Sequence, residues 1–143
     1  MARWPVSVKA VTLDARDRVL LLRNERDEWE LPGGHLDPAD AGPEAAVVRE
    51  LGEEAGRGVR PVALLDSWLY EPLPGQRVLI LTYGCHLLTP DQAPVLSIEH
   101  RELGLFAEGE VVGLRMPEGY KRSVAGWYGT LRAREAQGSG SAA

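Results

Sequence analysis

The stretch Arg49–Gly56, with the sequence RELGEEAG, places three carboxylates close together. Each residue of a helix turns by about 100°, so Glu50, Glu53 and Glu54 fall on one side of a helix. Like charges at this spacing repel one another, and a counter-charge is therefore needed. Hard divalent cations such as Mg2+ and Mn2+ prefer carboxylate oxygens and share their sites with substrate phosphates. The stretch therefore predicts a metal site that handles phosphate.

A helix is predicted around these acids, from Pro43 to the glycine stop at Gly56. Proline is favoured in a first helical turn, and Glu44 suits the positive end of the helix dipole. Beside the acids, apolar residues recur at helical spacing: Val47, Val48, Leu51 and Ala55. This pattern predicts that one face of the helix packs on the protein body while the acidic face opens to a cleft.

Strand-like segments lie on both sides of this helix. Alternating or apolar runs predict strands over 6–13, 18–23, 29–31, 59–68 and 77–88. The turn-rich link Asp14–Asp17 predicts a hairpin between the first two runs, and Gly33–Gly42 is interpreted as an irregular loop. Pro117 opens a second long helix in this prediction, whose apolar residues at helical spacing indicate core packing.

The length of 143 residues predicts one domain, which we place at residues 1–136, followed by a small, polar and disordered tail over 137–143. The formal net charge of −5 argues against a general nucleic-acid binder, because no basic field would attract a phosphate backbone. Small anionic ligands remain compatible with it, since a bound metal inverts the local charge.

Cys85 is the only cysteine, so an internal disulfide cannot form and a reducing compartment suits the chain. Its apolar surroundings in the sequence predict a core residue rather than a nucleophile. No apolar run approaches the ~20 residues that span a bilayer, and no signal region is recognised at the start. We therefore expect a cytoplasmic protein without a membrane partner.

Together with Gly34–Asp40, the stretch Arg49–Gly56 resembles the Nudix box, here at residues 34–57. The family pattern is Gly, five residues, Glu, seven residues, then Arg-Glu-aliphatic-any-Glu-Glu-any-Gly-aliphatic. This chain departs from the pattern in three ways. Asp40 stands where the family has Glu, eight residues separate it from Arg49, and Arg57 replaces the closing aliphatic residue.

The resemblance implies an α/β fold, the Nudix-type α/β/α sandwich with a mixed β-sheet. It implies metal-dependent hydrolysis of a phosphoanhydride bond in a nucleoside diphosphate-linked substrate, either an NTP or dNTP or a molecule like ADP-ribose. The implied cofactor is Mg2+ or Mn2+, and the implied partner is a small-molecule nucleotide. The oligomeric state is left open, with a homodimer as one option.

Carried over position by position, the resemblance also implies roles for single residues. Arg49 would brace the site through an ion pair with a carboxylate of the box, and Glu99, in a later loop, matches an additional catalytic or metal-binding glutamate of some members. The metal ligands would be Glu50, Glu53, Glu54 and the backbone carbonyl of Gly34.

Substrate recognition has weaker signals. Arg23 and Arg26 flank the box loop and are candidates for phosphate contacts, and Trp29 is a candidate for base stacking. Further aromatic candidates are Trp68, Tyr70 and Tyr120. Pro72 lies fifteen residues after Arg57, where ADP-ribose-cleaving family members tend to carry a proline.

The histidines are not expected to bind the metal. Hard ions disfavour imidazole, so His35 and His100 are interpreted as loop or surface residues.

Two other functions compete with hydrolysis of small nucleotides. A Nudix-like domain can bind a nucleotide as a sensor or scaffold without cutting it, and the shortened Asp40 keeps that reading open. Retention of all three glutamates favours the enzyme, because binding alone does not need them. Trimming of nucleic-acid ends by the same chemistry conflicts with the net negative charge of the chain.

Overall fold

The computed structural model describes residues 3–97 and 100–141. The elements follow one another as β1 (Val6–Thr12), β2 (Val19–Arg23), β3 (Trp29–Glu30), β4 (Gly33–His35), α1 (Pro43–Ala55), β5 (Val59–Leu73), β6 (Gln76–Leu87), β7 (Glu102–Phe106), α2 (Glu108–Val111) and α3 (Glu118–Ser141). Within these residues, no helix has the length and apolar character needed to cross a membrane.

A four-stranded mixed sheet forms the centre, in the order β4-β1-β6-β5. Strand β1 runs parallel to β6 and antiparallel to β4, whereas β5 and β6 form a long antiparallel hairpin. Six of the seven β1 residues are buried, as expected for a central strand that is covered on both faces.

A second, three-stranded antiparallel sheet has the order β3-β2-β7. The predicted hairpin between β1 and β2 is wrong, because the pairing found between these segments is the isolated bridge of Leu13 with Val19. The carboxylate of Asp14 accepts hydrogen bonds from the amides of Arg16 and Arg18 and thereby holds a tight turn. After this turn β2 pairs with β7, which sequence periodicity alone does not reveal.

Helix α1 covers one face of the central sheet. It begins and ends where the sequence predicts, at Pro43 and before Gly56, whose φ of 61° is the left-handed conformation that glycine adopts readily. Val47 and Leu51 are buried against Val8 of β1, whereas Val48, expected in the apolar stripe, is exposed.

Helix α3 covers the opposite face. Its buried residues Tyr120, Val124 and Trp127 pack with apolar residues of both sheets, including Val11 and Leu21. The molecule is therefore an α/β/α sandwich with a mixed sheet, and the predicted fold class is confirmed.

Local differences from the sequence prediction lie in short or terminal segments. Gly33–His35 forms strand β4 rather than a loop, and the four-residue helix α2 was not predicted. Helix α3 continues to Ser141, through a segment for which the sequence predicts disorder. Cys85 lies in the core, and burial raises the pKa of its thiol to about 12.

Candidate active site

A cavity of about 540 Å3 opens between β4, α1 and the loop that follows β2. Its lining residues are predominantly polar and converge from segments that are distant in sequence. They include Asn24, Arg26, Glu30, Gly34, Glu50, Glu54 and His100.

Two glycines allow strand β4 to approach its neighbours at the edge of this cavity. Gly33 has a φ of 146°, and a Cβ there would lie 1.9 Å from the carbonyl oxygen of Val8. A Cβ at Gly34 would lie 2.7 Å from the carboxylate of Glu50. The backbone therefore excludes a side chain at Gly33, whereas a side chain at Gly34 would require the Glu50 carboxylate to move.

Glu54 is fixed at the base of the cavity. Its Oε2 accepts a hydrogen bond of 2.7 Å from the backbone N–H of Gly33, and the residue is only 6% exposed. Burial raises the pKa of Glu54 to about 7, with a further contribution from the negative charge of Glu50, although Lys9 and the Gly33 amide oppose this shift. A carboxylate in such a position favours a bound cation, which would offset its burial.

Arg49 joins helix α1 to the box loop, the segment between β4 and α1 that contains Asp40. Its Nε and Nη2 donate to the two carboxylate oxygens of Asp40, both at 2.9 Å. Its Nη1 donates to Glu50 at 2.9 Å and to Glu53 at 3.2 Å. The side-chain hydrogen bonds from Arg49 lower the pKa of Asp40 to about 2. The shorter Asp40 and the additional loop residue therefore still permit a two-point ion pair.

The three α1 glutamates of the Nudix-like stretch, Glu50, Glu53 and Glu54, are not equivalent in position. Glu50 and Glu54 line the cavity, whereas Glu53 does not line it, and its side chain is 62% exposed. The rotation of α1 that packs Leu51 and Ala55 on the sheet separates these positions, because Glu54 then lies beside the sheet.

A buried hydrogen-bond chain supports the far wall of the cavity. The Nε2 of His100 donates to Glu30 at 3.0 Å and lies 3.9 Å from Glu54 Oε1. Asn24 donates to the other oxygen of Glu30 at 3.1 Å. Burial alone would raise the pKa of Glu30, but Lys9, His100 and Asn24 lower it to about 2.

The sequence predicts that His100 is a loop or surface residue, and it does lie in a loop, before β7. It is not a surface residue, since its side chain is only 8% exposed. Its partner Glu30 is 70 positions away in the chain, and no local pattern reports that contact.

Lys9 is a buried cation in the middle of β1. Burial alone would lower its pKa, but its electrostatic interactions with Tyr120 and with the carboxylates of Glu30, Glu54 and Glu50 raise it above the ordinary value. Sequence reasoning missed this residue, although a single lysine within an apolar strand was an available signal.

The candidate substrate residues have different positions. Arg26 lines the cavity and contacts Glu28, with 3.2 Å between Nε and Oε1. Arg23 instead pairs with Asp27 and Glu102 and does not line the cavity.

Trp29 packs edge-on against Phe106, with 4.8 Å between the ring centroids, and also does not line the cavity. Glu99, the proposed additional glutamate, lies outside the described residues.

The donor chemistry fits a hard divalent cation, because the carboxylates of Glu50 and Glu54 and the backbone of strand β4 border the same cavity. In the side-chain positions observed here, no three acidic, histidine or cysteine residues of the described segments form a ready metal cluster. Glu50 and Glu53 are both ion-paired with Arg49 in this arrangement, at 2.9 and 3.2 Å.

The sandwich, with its carboxylate-bearing helix beside a Gly-Gly strand, defines a Nudix-type domain. The sequence model of the NUDIX domain family matches residues 3–125. The chain therefore belongs to the Nudix family, and the predicted family is confirmed.

Solved structures share this fold at low sequence identity. The crystal structure of the MutT protein from Methanosarcina mazei Go1 has a TM-score of 0.72 and 24% identity, over 92% of this chain and 95% of that chain. A C. elegans Ap4A hydrolase binary complex has a TM-score of 0.78 and 20% identity, over 90% and 98% of the two chains.

The NUDIX domain of Shewanella oneidensis NrtR, complexed with ADP ribose, has a TM-score of 0.75 and 18% identity, over 92% and 90%. No curated protein matches this chain at a significant level.

Proposed function

We propose that this protein is a divalent metal-dependent pyrophosphohydrolase that cleaves a phosphoanhydride bond in a nucleoside diphosphate-linked substrate. The observation that carries this proposal is the position of Glu54, buried at the base of an open polar cavity and held by the Gly33 amide. A buried carboxylate without a full counter-charge gains most from a ligand that supplies positive charge.

The cation would be held by Glu50, Glu53, Glu54 and the carbonyl of Gly34. Mg2+ and Mn2+ suit these oxygen donors, and Nudix hydrolases generally need a divalent metal. When bound, such an ion neutralises phosphate charge and lowers the pKa of a coordinated water.

The remaining residues position the metal-binding carboxylates and balance their negative charge. Arg49 holds Glu50 and the box loop in place, whereas Lys9 balances the negative charge below the cavity. A carboxylate of the helix, or Glu99 from the later loop, would orient the attacking water toward phosphorus. Arg26 is the described arginine best placed to contact a phosphate or ribose oxygen.

The substrate class is a nucleotide in which a diphosphate joins a nucleoside to another group. The fold is shared with an Ap4A hydrolase and with a domain complexed with ADP ribose. The resemblance to the Nudix box also places Pro72 where ADP-ribose-cleaving members tend to carry a proline. A screen of NTPs, dNTPs, ADP-ribose, sugar nucleotides and dinucleoside polyphosphates, with Mg2+ and with Mn2+, would identify the substrate from the released phosphate or nucleotide.

Glu54→Gln tests the proposed site directly. The amide keeps the size of the side chain but removes its charge, so we expect kcat to fall by at least about 1000-fold. Product release from the best substrate of the screen is the measurement, and circular dichroism checks the fold. Glu118→Gln is the matched control, because the Glu118 side chain is 81% exposed on α3.

Glu99→Ala completes this test. We expect a smaller loss than for Glu54→Gln, and an equal or larger loss would move the centre of the chemistry to Glu99. Unchanged turnover in Glu54→Gln would refute the site. Tight nucleotide binding by the unaltered protein, without any product, would instead favour the sensor or scaffold function.

A further inference from the structure

A second cavity, of about 460 Å3, adjoins the catalytic cavity. The residues before β1 and at the start of β6 form it, and His35 lines both cavities. Its walls include Arg3, Trp4, Pro5, Arg77 and Val78. Its volume is within the range of about 300–1000 Å3 that is typical of small-molecule sites.

The charge of this second cavity is positive. Arg3 and Arg77 line it, and no acidic side chain of the described residues does so. Among the segments that the structure describes, neither arginine has an ion-pair partner within 4.0 Å, unlike Arg18, Arg23 and Arg132. Unpaired cations beside an acidic cavity in a chain of net charge −5 indicate an anionic ligand.

The cavity also presents an aromatic face. Trp4 is 46% exposed, whereas the other three tryptophans of the chain are half-buried or buried. An exposed indole beside guanidinium groups is suited to stacking on a planar aromatic group that also carries phosphate. Pro5 and Val78 provide apolar contacts in the same cavity.

His35 connects the two cavities. It directly follows Gly34, its carbonyl accepts a hydrogen bond of 3.2 Å from Arg49, and its Nδ1 lies 3.2 Å from the hydroxyl of Ser7. A phosphate chain centred near Glu50 and passing His35 would therefore bring its far end to Trp4 and the two arginines.

We propose that this second cavity binds the far nucleoside phosphate of a substrate in which phosphates join two nucleosides. Trp4 stacks on the second base, and Arg3 and Arg77 bind the adjoining phosphate oxygens. This inference rests on the proposed function, because it places the reacting anhydride beside Glu50 and Glu54. It narrows the substrate class to dinucleoside polyphosphates.

Nucleotide binding to catalytically impaired variants tests the role of the second cavity. In a Glu54→Gln background with Mg2+, calorimetry would measure Kd for diadenosine tetraphosphate and for ATP, which has one nucleoside. We expect Trp4→Ala and Arg77→Ala each to raise Kd for diadenosine tetraphosphate about tenfold and Kd for ATP less than about twofold. Trp4→Phe, which keeps an aromatic face, should restore most of the affinity.

Arg16→Ala is the matched control, since Arg16 lies in the turn after β1 and lines a different cavity. We expect it to change neither Kd. The inference would be overturned if Trp4→Ala raised Kd equally for both ligands or for neither. It would also be overturned if Arg77→Ala raised Kd for diadenosine tetraphosphate and Trp4→Ala did not. Absence of product from every substrate would contradict the proposed hydrolysis, but would leave these binding differences measurable.

Discussion

The cavity at Glu54 and the cavity at Trp4 meet at His35 but differ in how their charges are compensated. In the first, Lys9 and His100 lie beside the acids and Arg49 pairs with Glu50, so much of the negative charge is balanced within the fold. In the second, Arg3 and Arg77 have no described acidic partner.

This difference separates structural from ligand-dependent charge. Removing one member of a compensated buried cluster leaves another charge unpaired, which costs stability as well as function. Removing an exposed unpaired cation should cost almost no stability and affect binding alone. Both consequences can be measured, and they sharpen the contrast between the cavities.

Among the substitutions that compare the two cavities, Arg49→Lys should have the largest effect. Lysine has no planar fork, so it cannot hold both oxygens of Asp40 while also contacting Glu50. We expect kcat to fall about 100-fold with a weaker affinity for Mn2+, as for loss of other supporting contacts around metal ligands. Steady-state kinetics and metal titration would measure both.

The control for Arg49→Lys is Arg101→Lys, because Arg101 is exposed and its side chain has, among the described residues, a single ion-pair contact, 3.7 Å from Asp27. A decrease in kcat of less than about threefold in Arg49→Lys would show that the two-point pair is dispensable.

Glu30→Gln should lower the free energy of unfolding by about 2 kcal/mol at pH 7, because Lys9 then loses a buried counter-charge. The folded pKa of Glu30, about 2, lies below its ordinary value of 4.5. Its charge therefore contributes fully above the unfolded pKa, and this contribution is lost as the pH falls from about 4.5 through 2.

Urea unfolding of the Glu30→Gln variant at pH 7 and pH 3 would measure this loss. The difference from the unaltered protein should be smaller at pH 3, and an equal difference at both pH values would argue against the charge effect. Arg77→Ala provides the contrast from the other cavity, with an expected change of no more than about 0.5 kcal/mol.

Gly34→Ala should have the smallest effect on the site. The new Cβ would lie 2.7 Å from the Glu50 carboxylate, which must move because it is the flexible partner. We expect the Kd for Mn2+ to rise about tenfold with little loss of stability. Isothermal calorimetry and thermal unfolding would measure the two quantities.

Gly42→Ala is the matched control for Gly34→Ala, since a Cβ there meets no described atom within 4 Å. Equal metal affinities of the two variants would show that Glu50 does not need its observed position.

Much of the fold was predictable from local patterns. The proline start, the glycine stop and the apolar spacing gave the bounds of α1, because helix ends and faces depend on neighbouring residues. The hairpin between β1 and β2 was predicted wrongly because the pairing of β2 with β7 joins segments about 80 positions apart. Turn residues report that the chain turns, but they do not report which strand it joins.

The sequence by itself determined the family and the presence of the acidic helix, because the charges and spacing of residues 49–56 are a local property. Only the tertiary structure decided that Glu54 is buried while Glu53 faces outward, and that Lys9 and His100 come to lie beside Glu30. The reason is that burial and compensation of charge depend on contacts between distant segments, which helix packing and strand pairing create.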